Sequence, residues 1–240
     1  MRSVAGVKLP PKGYIDEVAS IVRACGGLFI ADEVQTGFGR LGSCMWAFQY
    51  NAKEKTSFVP DIVTVGKPFG NGMPLAAVVV TRDVSDAFDA MEVEYFNTFG
   101  GNPVSAAAGL AMLDVLHEEK LQGNAKMVGS YLIERLRALQ QKIPLIGDVR
   151  GCGLFIGLEL VKNRISKVPA SREASYLCTI LKTKYQILTS LDGPFANVFV
   201  IKPPMVFSND DVDYFVECFQ RAVLQDLPMV ELSTVAPTPT

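Results

Sequence analysis

The chain is nearly without histidine: its 1 histidine is His117. A multi-histidine metal centre is therefore excluded. A Ser-His-Asp triad would have to use His117, which falls on a predicted helix beside Glu118 and Glu119. No nucleophile-elbow motif accompanies it, so it reads as a surface residue near a helix end. No Cys-x-x-Cys pair occurs. The 5 cysteines (Cys25, Cys44, Cys152, Cys178, Cys218) are scattered and read as reduced thiols of an intracellular protein. Excess charge of either sign is missing too, with 23 basic against 25 acidic residues and a net charge of -2. Without a basic run there is no electrostatic footprint for nucleic acid. No apolar run approaches the ~18 residues of a membrane span. The first residues lack the apolar core of a signal peptide. No Gly-x-Gly-x-x-Gly follows a strand, which removes a dinucleotide-binding Rossmann domain. No internal repeat is found.

What is present is apolar material, 49% of 240 residues, enough for a large core in one or two domains. Strand and helix patterns alternate. Tyr14 to Cys25 reads as a helix with Ile15, Val18, Ala19 and Val22 on one face, stopped by Gly26-Gly27. Leu28 to Ala31 is a short buried strand that delivers Asp32-Glu33 to its carboxyl end. Residues 62 to 80 hold a single lysine, Lys67, between two β-branched runs, within a turn built from Pro68, Gly70-Asn71-Gly72 and Pro74. Asp83 to Met91 is a short helix. The loop Gly100-Gly101-Asn102-Pro103 runs into a helix from Val104 to Leu116, which opens with small residues suited to close packing. Lys120 to Gln141 is amphipathic, with Val128, Leu132, Leu136 and Leu139 as its stripe. Ile146 to Val161 predicts two strands about Gly151-Cys152-Gly153, and Ser171 to Tyr185 a helix. Val198 to Ile201 and Met205 to Phe207 predict strands on either side of Lys202-Pro203-Pro204. Ser208 to Asp211 caps a helix from Val212 to Leu224. The tail from 229 to 240 is Ser-, Thr- and Pro-rich and predicts disorder.

This alternation points to an α/β architecture with a mainly parallel sheet. In such sheets ligands bind beyond the carboxyl ends of strands, where both Asp32 and Lys67 fall. They are about 35 residues apart, the length of a βαβ unit, so one acid and one lysine could serve a common ligand. A lysine held partly desolvated there would lose proton affinity and become nucleophilic, as a Schiff-base lysine must. The alternative for the stretch alone is a strand-end lysine extending its charge into water.

With both residues in view, Ala31-Asp32-Glu33-Val34-Gln35-Thr36-Gly37-Phe38-Gly39-Arg40 resembles the aspartate motif of class III aminotransferases, fold-type I enzymes that use pyridoxal phosphate. Pro60-Asp61-Ile62-Val63-Thr64-Val65-Gly66-Lys67, followed by Gly70-Asn71-Gly72-Met73-Pro74, resembles their lysine motif. Phe96 to Pro103 is similar to their third signature. Gly147 to Glu159 resembles the opening of their small C-terminal domain. The match runs in order from residue 1 to about 225, and motifs in this order are specific because each supplies the context of the others.

The resemblance implies the following roles. Lys67 is the Schiff-base lysine and the proton-moving base. Asp32 keeps the pyridine nitrogen protonated. Val34 packs on the ring, and Gln35 hydrogen-bonds its 3-hydroxyl oxygen. Thr98 reaches the cofactor phosphate of a partner subunit, which implies a homodimer with shared sites. It also implies a partial cofactor-binding large domain with an interdomain helix over 1–115, a small α/β domain over 116–228, and the tail over 229–240. Class III enzymes are commonly nearly twice this length. The expected chain is thus the C-terminal half of the large domain plus the small domain, and such a polypeptide alone is expected to bind pyridoxal phosphate weakly or not at all.

Within the class, Glu94 to Thr98, Leu121 to Lys126, Gly153 to Gly157 and Ile201 to Met205 resemble the alanine–glyoxylate aminotransferase 2-like branch. That branch includes ethanolamine-phosphate and 5-phosphohydroxy-L-lysine phospho-lyases. Lys202 stands where many class III enzymes have an arginine that grips a substrate carboxylate. Lysine is a point charge and cannot reproduce that fork. The resemblance therefore implies a phosphorylated amine as substrate, with Lys202 as a substrate-binding residue. Amino transfer to a keto acid and a catalytically inactive short isoform or partner subunit are the alternatives. A mitochondrial location follows only from the family.

Overall fold

The computed structural model describes residues 5–50, 52 and 58–227. They fall into two compact units, one of residues 10–125 and one of residues 1–9 with 126–240. The tail expected over 229–240 lies outside the described residues.

The unit of residues 10–125 is built on a three-stranded sheet in the order β1 (Ile30–Asp32), β2 (Ile62–Val65), β3 (Ala77–Val80). β1 and β2 run parallel, with Ile30 opposite Ile62 and Asp32 opposite Thr64. β2 and β3 run antiparallel, so the described sheet is mixed rather than uniformly parallel. The helix α1 (Tyr14–Ala24) precedes β1, with Asp16 and Glu17 in its first turn, where the helix dipole favours negative charge. Arg23 at its other end donates to Asp61 through Nε (3.1 Å) and Nη2 (2.9 Å) and to the Val59 carbonyl (2.6 Å). The Phe29 amide also donates to Asp61, at 2.8 Å. One carboxylate thus ties α1, the entry to β1 and the entry to β2.

β1 was expected to be buried, yet Ile30 and Asp32 are exposed and only Ala31 is buried. α2 (Arg82–Asp89) follows β3. α3 (Pro103–Glu118) begins as its sequence dictates. Asn102 accepts a hydrogen bond from the Ser105 amide, and Pro103 occupies the first turn, where a missing N–H costs nothing.

In the other unit, β4 (Ile146–Cys152), β5 (Phe155–Leu160), β6 (Leu191–Asp192) and β7 (Val198–Ile201) form an antiparallel sheet in the order β4-β5-β7-β6. β5 and β7 are central, and Phe155, Ile156, Leu158, Leu160 and Phe199 are fully buried. The helices α4 (Leu121–Lys142), α5 (Ser171–Thr183) and α6 (Asn209–Arg221) supply the rest of this core. The predicted α4 stripe of Val128, Leu132, Leu136 and Leu139 is buried throughout. α6 opens with a reciprocal capping box between Ser208 and Asp211 and packs Phe219 edge-on against Phe199 of β7 at 5.5 Å.

The strand expected over Met205 to Phe207 is instead a turn, closed by the Phe207 amide on the Pro204 carbonyl at 3.1 Å. Pro203 and Pro204 lack the N–H that a ladder needs, so β7 ends at Ile201.

Residues 6 and 7 belong to this unit. Arg150 donates to the carbonyls of Gly6 and Val7 and pairs with Asp148 (2.7 Å) and Glu159 (2.5 Å). Val7 is fully buried at φ 55, a left-handed conformation that a β-branched residue rarely holds.

Candidate active site

The site is built where β1 and β2 end. Because the two strands are parallel and in register, they deliver Asp32 and, three residues past its partner Thr64, Lys67 to the same edge of the sheet. Asp32 is fixed through one oxygen. Its Oδ1 accepts from the Val34 amide at 3.1 Å and from the Thr64 hydroxyl at 3.3 Å. Val34 lies against Gly66: a Cβ at Gly66 would stand 3.3 Å from Val34 Cγ1. The residue before the lysine is therefore small because the valine after the aspartate occupies the space. Gln35 is half-buried in the turn that follows β1.

The turn carrying Lys67 is clamped from two sides. Phe69 donates its amide to the Gly66 carbonyl at 2.6 Å and stacks on Phe38 at 5.1 Å between ring centroids, the planes 15° apart. Phe38 is buried at φ 62 and meets Trp46 edge-on at 5.0 Å. The loop after Asp32 and the turn around Lys67 are thus joined by an aromatic stack. From the other side α3 closes on the same turn at Gly109, where a Cβ would lie 3.4 Å from Phe69 Cε2 and 2.4 Å from Leu75 Cδ2. That close approach is the use of the small residues at the start of α3. Gly70 is needed for a local reason, since a Cβ there would sit 2.0 Å from the Met73 carbonyl oxygen.

Sequence reading missed two carboxylates. Glu33, next to Asp32, is buried: it accepts from the Thr36 hydroxyl and the Phe48 amide, both at 2.8 Å. It holds the loop that supplies Phe38. Asp61 is the second. Its hydrogen bonds from Arg23, and then from the Phe29 amide, hold its carboxyl below the ordinary carboxylate range. The adjacent Asp-Glu pair and the acid preceding the Lys67 strand were the available signals, but neither distinguishes a structural carboxylate from a ligand-binding one.

The partial desolvation expected of Lys67 is not supplied by the described residues, because its side chain is exposed. The turn leaves the sheet after the buried pair Val65-Gly66 and carries the lysine outward. Thr98 is exposed in the loop before α3, where the Asn97 side chain accepts from the Phe99 and Gly100 amides at 3.0 and 3.1 Å. Asp32, Val34, Gln35 and Lys67 are brought to one edge. Thr98 belongs to the same unit, and Lys202 to the other. Lys202 is half-buried, with its ammonium 5.8 Å from the centre of the Phe155 ring. Among the described residues no cluster of His, Cys, Asp and Glu could hold a metal ion, and no helix is long and apolar enough to cross a membrane.

A family model described as aminotransferase class-III matches residues 1–223. The chain is 48% identical over 223 residues to an Arabidopsis thaliana protein named alanine–glyoxylate aminotransferase 2 homolog 2, mitochondrial, covering 93% of this chain and 45% of that one. It is 45% identical over 212 residues to a Caenorhabditis elegans protein named ethanolamine-phosphate phospho-lyase homolog 1, covering 88% and 44%. Among solved structures, a phospholyase from Arthrobacter in complex with phosphoethanolamine superposes with a TM-score of 0.85 at 40% identity, over 92% of this chain and 51% of that one. The chain spans about half the length of these relatives.

Proposed function

The chain belongs to the class-III aminotransferase family, and from that premise we propose that it carries the lysine-bearing part of a pyridoxal-phosphate enzyme. The enzyme eliminates phosphate and ammonia from a phosphorylated amine, either phosphoethanolamine or 5-phosphohydroxylysine. The observation that carries this reading is the delivery of an exposed lysine and a carboxylate to one edge by parallel, in-register strands. The donor set fits the cofactor. Asp32 has one oxygen held by the protein and lies exposed at the end of β1, which suits a partner N–H⁺. Lys67 offers a primary amine on a turn braced by Phe38 and Gly109.

When bound, pyridoxal phosphate supplies an aldehyde to a primary amine and a protonated ring that takes up electron density from the adjacent carbon. Lys67 would hold the cofactor through its amine and would take the proton from the substrate carbon next to nitrogen. Asp32 holds the proton on the pyridine nitrogen. Val34 would cover the ring, and Gln35 would donate to its 3-hydroxyl oxygen. Thr98 serves the cofactor phosphate in a second protomer, which makes the active form a homodimer. Lys202 receives the substrate anion. With phosphoethanolamine the C–O bond to phosphate breaks, the electron pair leaves on phosphate, and one water is consumed to give an aldehyde, ammonia and inorganic phosphate. A mitochondrial location belongs to the same proposal and rests on the plant relative's name.

The test uses a polypeptide carrying this chain together with the remaining length of its relatives, incubated with phosphoethanolamine or 5-phosphohydroxylysine. Release of inorganic phosphate without added keto acid is expected. Keto-acid-dependent amino transfer with no phosphate release would replace elimination by transamination, the reading favoured by the similarity to an alanine–glyoxylate aminotransferase homologue.

A further inference from the structure

Lys202 follows the last residue of β7. β5 and β7 pair antiparallel with Ile156 opposite Ile201, so the same register sets Lys202 opposite Phe155, the first residue of β5. Phe155 is fully buried, while Lys202 is half-buried. The lysine ammonium stands 5.8 Å from the ring centre, within the range of a cation–π contact. Pro203 comes next, and a residue before proline is restricted to extended backbone. Lysine's weakness as an anion receptor is its freedom: a point charge on a four-carbon stem, with rotamer entropy to lose. Here the backbone is fixed by Pro203, and the head group has an aromatic face beneath it.

We propose that Phe155 is a positioning residue that holds the Lys202 ammonium ready for an anionic group of the substrate, through the cross-strand pairing of β5 with β7. The proposal rests on the reading of Lys202 as the substrate-anion residue. The ring cannot itself bind an anion. It limits where the ammonium goes, so that less freedom is lost when the anion arrives.

The experiment uses a polypeptide carrying this chain together with the remaining length of its relatives, with ¹³C-labelled lysine, the Lys202 Hε and Cε signals being assigned by their loss in Lys202→Arg. An ammonium stem over a ring face has its Hε signal shifted upfield of those of exposed lysines. That shift is expected in the unaltered chain, to be retained in Phe155→Tyr and lost in Phe155→Leu. Inorganic phosphate, titrated against chloride at equal ionic strength, is expected to move the Lys202 signal. Phe155→Leu should weaken the apparent affinity about two- to fivefold, the size of one modest cation–π contact. A Lys202 signal that responds to phosphate but shows no upfield shift in the unaltered chain overturns the role of Phe155 and leaves Lys202 as the anion residue. An upfield-shifted signal indifferent to phosphate overturns the Lys202 reading and with it the positioning role. The first of these comparisons needs no variant at Phe155, so misfolding of Phe155→Leu leaves the proposal open to refutation.

Discussion

Lys67 is exposed and its turn is held by its neighbours rather than by its own side chain. Lys67→Ala is therefore expected to leave urea stability within about 0.5 kcal/mol, while abolishing the proposed phosphate release in a polypeptide that also carries the relatives' remaining length. A coupled loss of stability and activity would mean that the lysine is structural. Asp61 is the opposite case. Its folded-state pKa is depressed by Arg23 and the Phe29 amide, so it contributes stability that is present above its unfolded pKa of about 3.9. That contribution is lost as the pH falls through the lower folded value. Asp61→Asn should cost about 1 kcal/mol at neutral pH, the size of a half-exposed ion pair, and should flatten the acid limb of a stability–pH profile below about pH 4. An unchanged acid limb would show that the Arg23 bonds do not act in solution.

Two elements depend on close backbone contacts. The turn after Lys67 brings the Met73 carbonyl 2.0 Å from where a Gly70 Cβ would sit, and a backbone oxygen cannot rotate away. Gly70→Ala is expected to destabilise by about 1–3 kcal/mol and to disturb the Phe38–Phe69 stack, measurable by urea titration and near-ultraviolet circular dichroism. Residues 6 and 7 form a strap whose carbonyls are held by Arg150. Burial opposes the charge on Arg150, but the hydrogen bonds it donates to Asp148 and Glu159 outweigh it and hold its pKa above the ordinary value. Arg150→Met leaves two half-exposed acids and the Gly6 and Val7 carbonyls without their partner and should cost about 1–2 kcal/mol, with faster protease cleavage near Lys8. Retained protection there would show that the buried Val7, and not the guanidinium, holds the strap.

At the scale of the molecule, the unit of residues 10–125 carries apolar surface that its described residues do not cover. In β3, Val78 is 66% and Val79 57% exposed. Successive strand residues point to opposite faces, so neither face of this edge strand is covered. Tyr95, Phe96 and Phe99, beside Thr98, are also exposed. Patches of this kind mark interaction surfaces or aggregation liabilities. The chain by itself should bind a hydrophobic dye strongly and associate at micromolar concentration. Adding a polypeptide that corresponds to the relatives' remaining length should suppress both. Pyridoxal phosphate should bind weakly to the chain alone; a stable visible absorbance lost in Lys67→Ala would overturn that expectation.

The sequence by itself determined what is local. Periodicity placed the helices, Ser208 announced the cap of α6, and the stripe of α4 was legible because burial on a helix repeats along the chain. That Asp32 and Lys67 stand at the ends of neighbouring strands was legible because each closes an apolar run within a specific motif. The turn at Met205 was not, since apolar residues after two prolines look like a strand until the missing N–H groups are counted. Only the tertiary structure decided that β3 runs antiparallel, that Glu33 and Asp61 tie loops together, that Val7 is pinned by Arg150, and that Phe155 lies under Lys202. Each of these is a meeting of residues distant in sequence or a choice of register. Pattern along a chain carries the period of a strand but not the partner it will pair with.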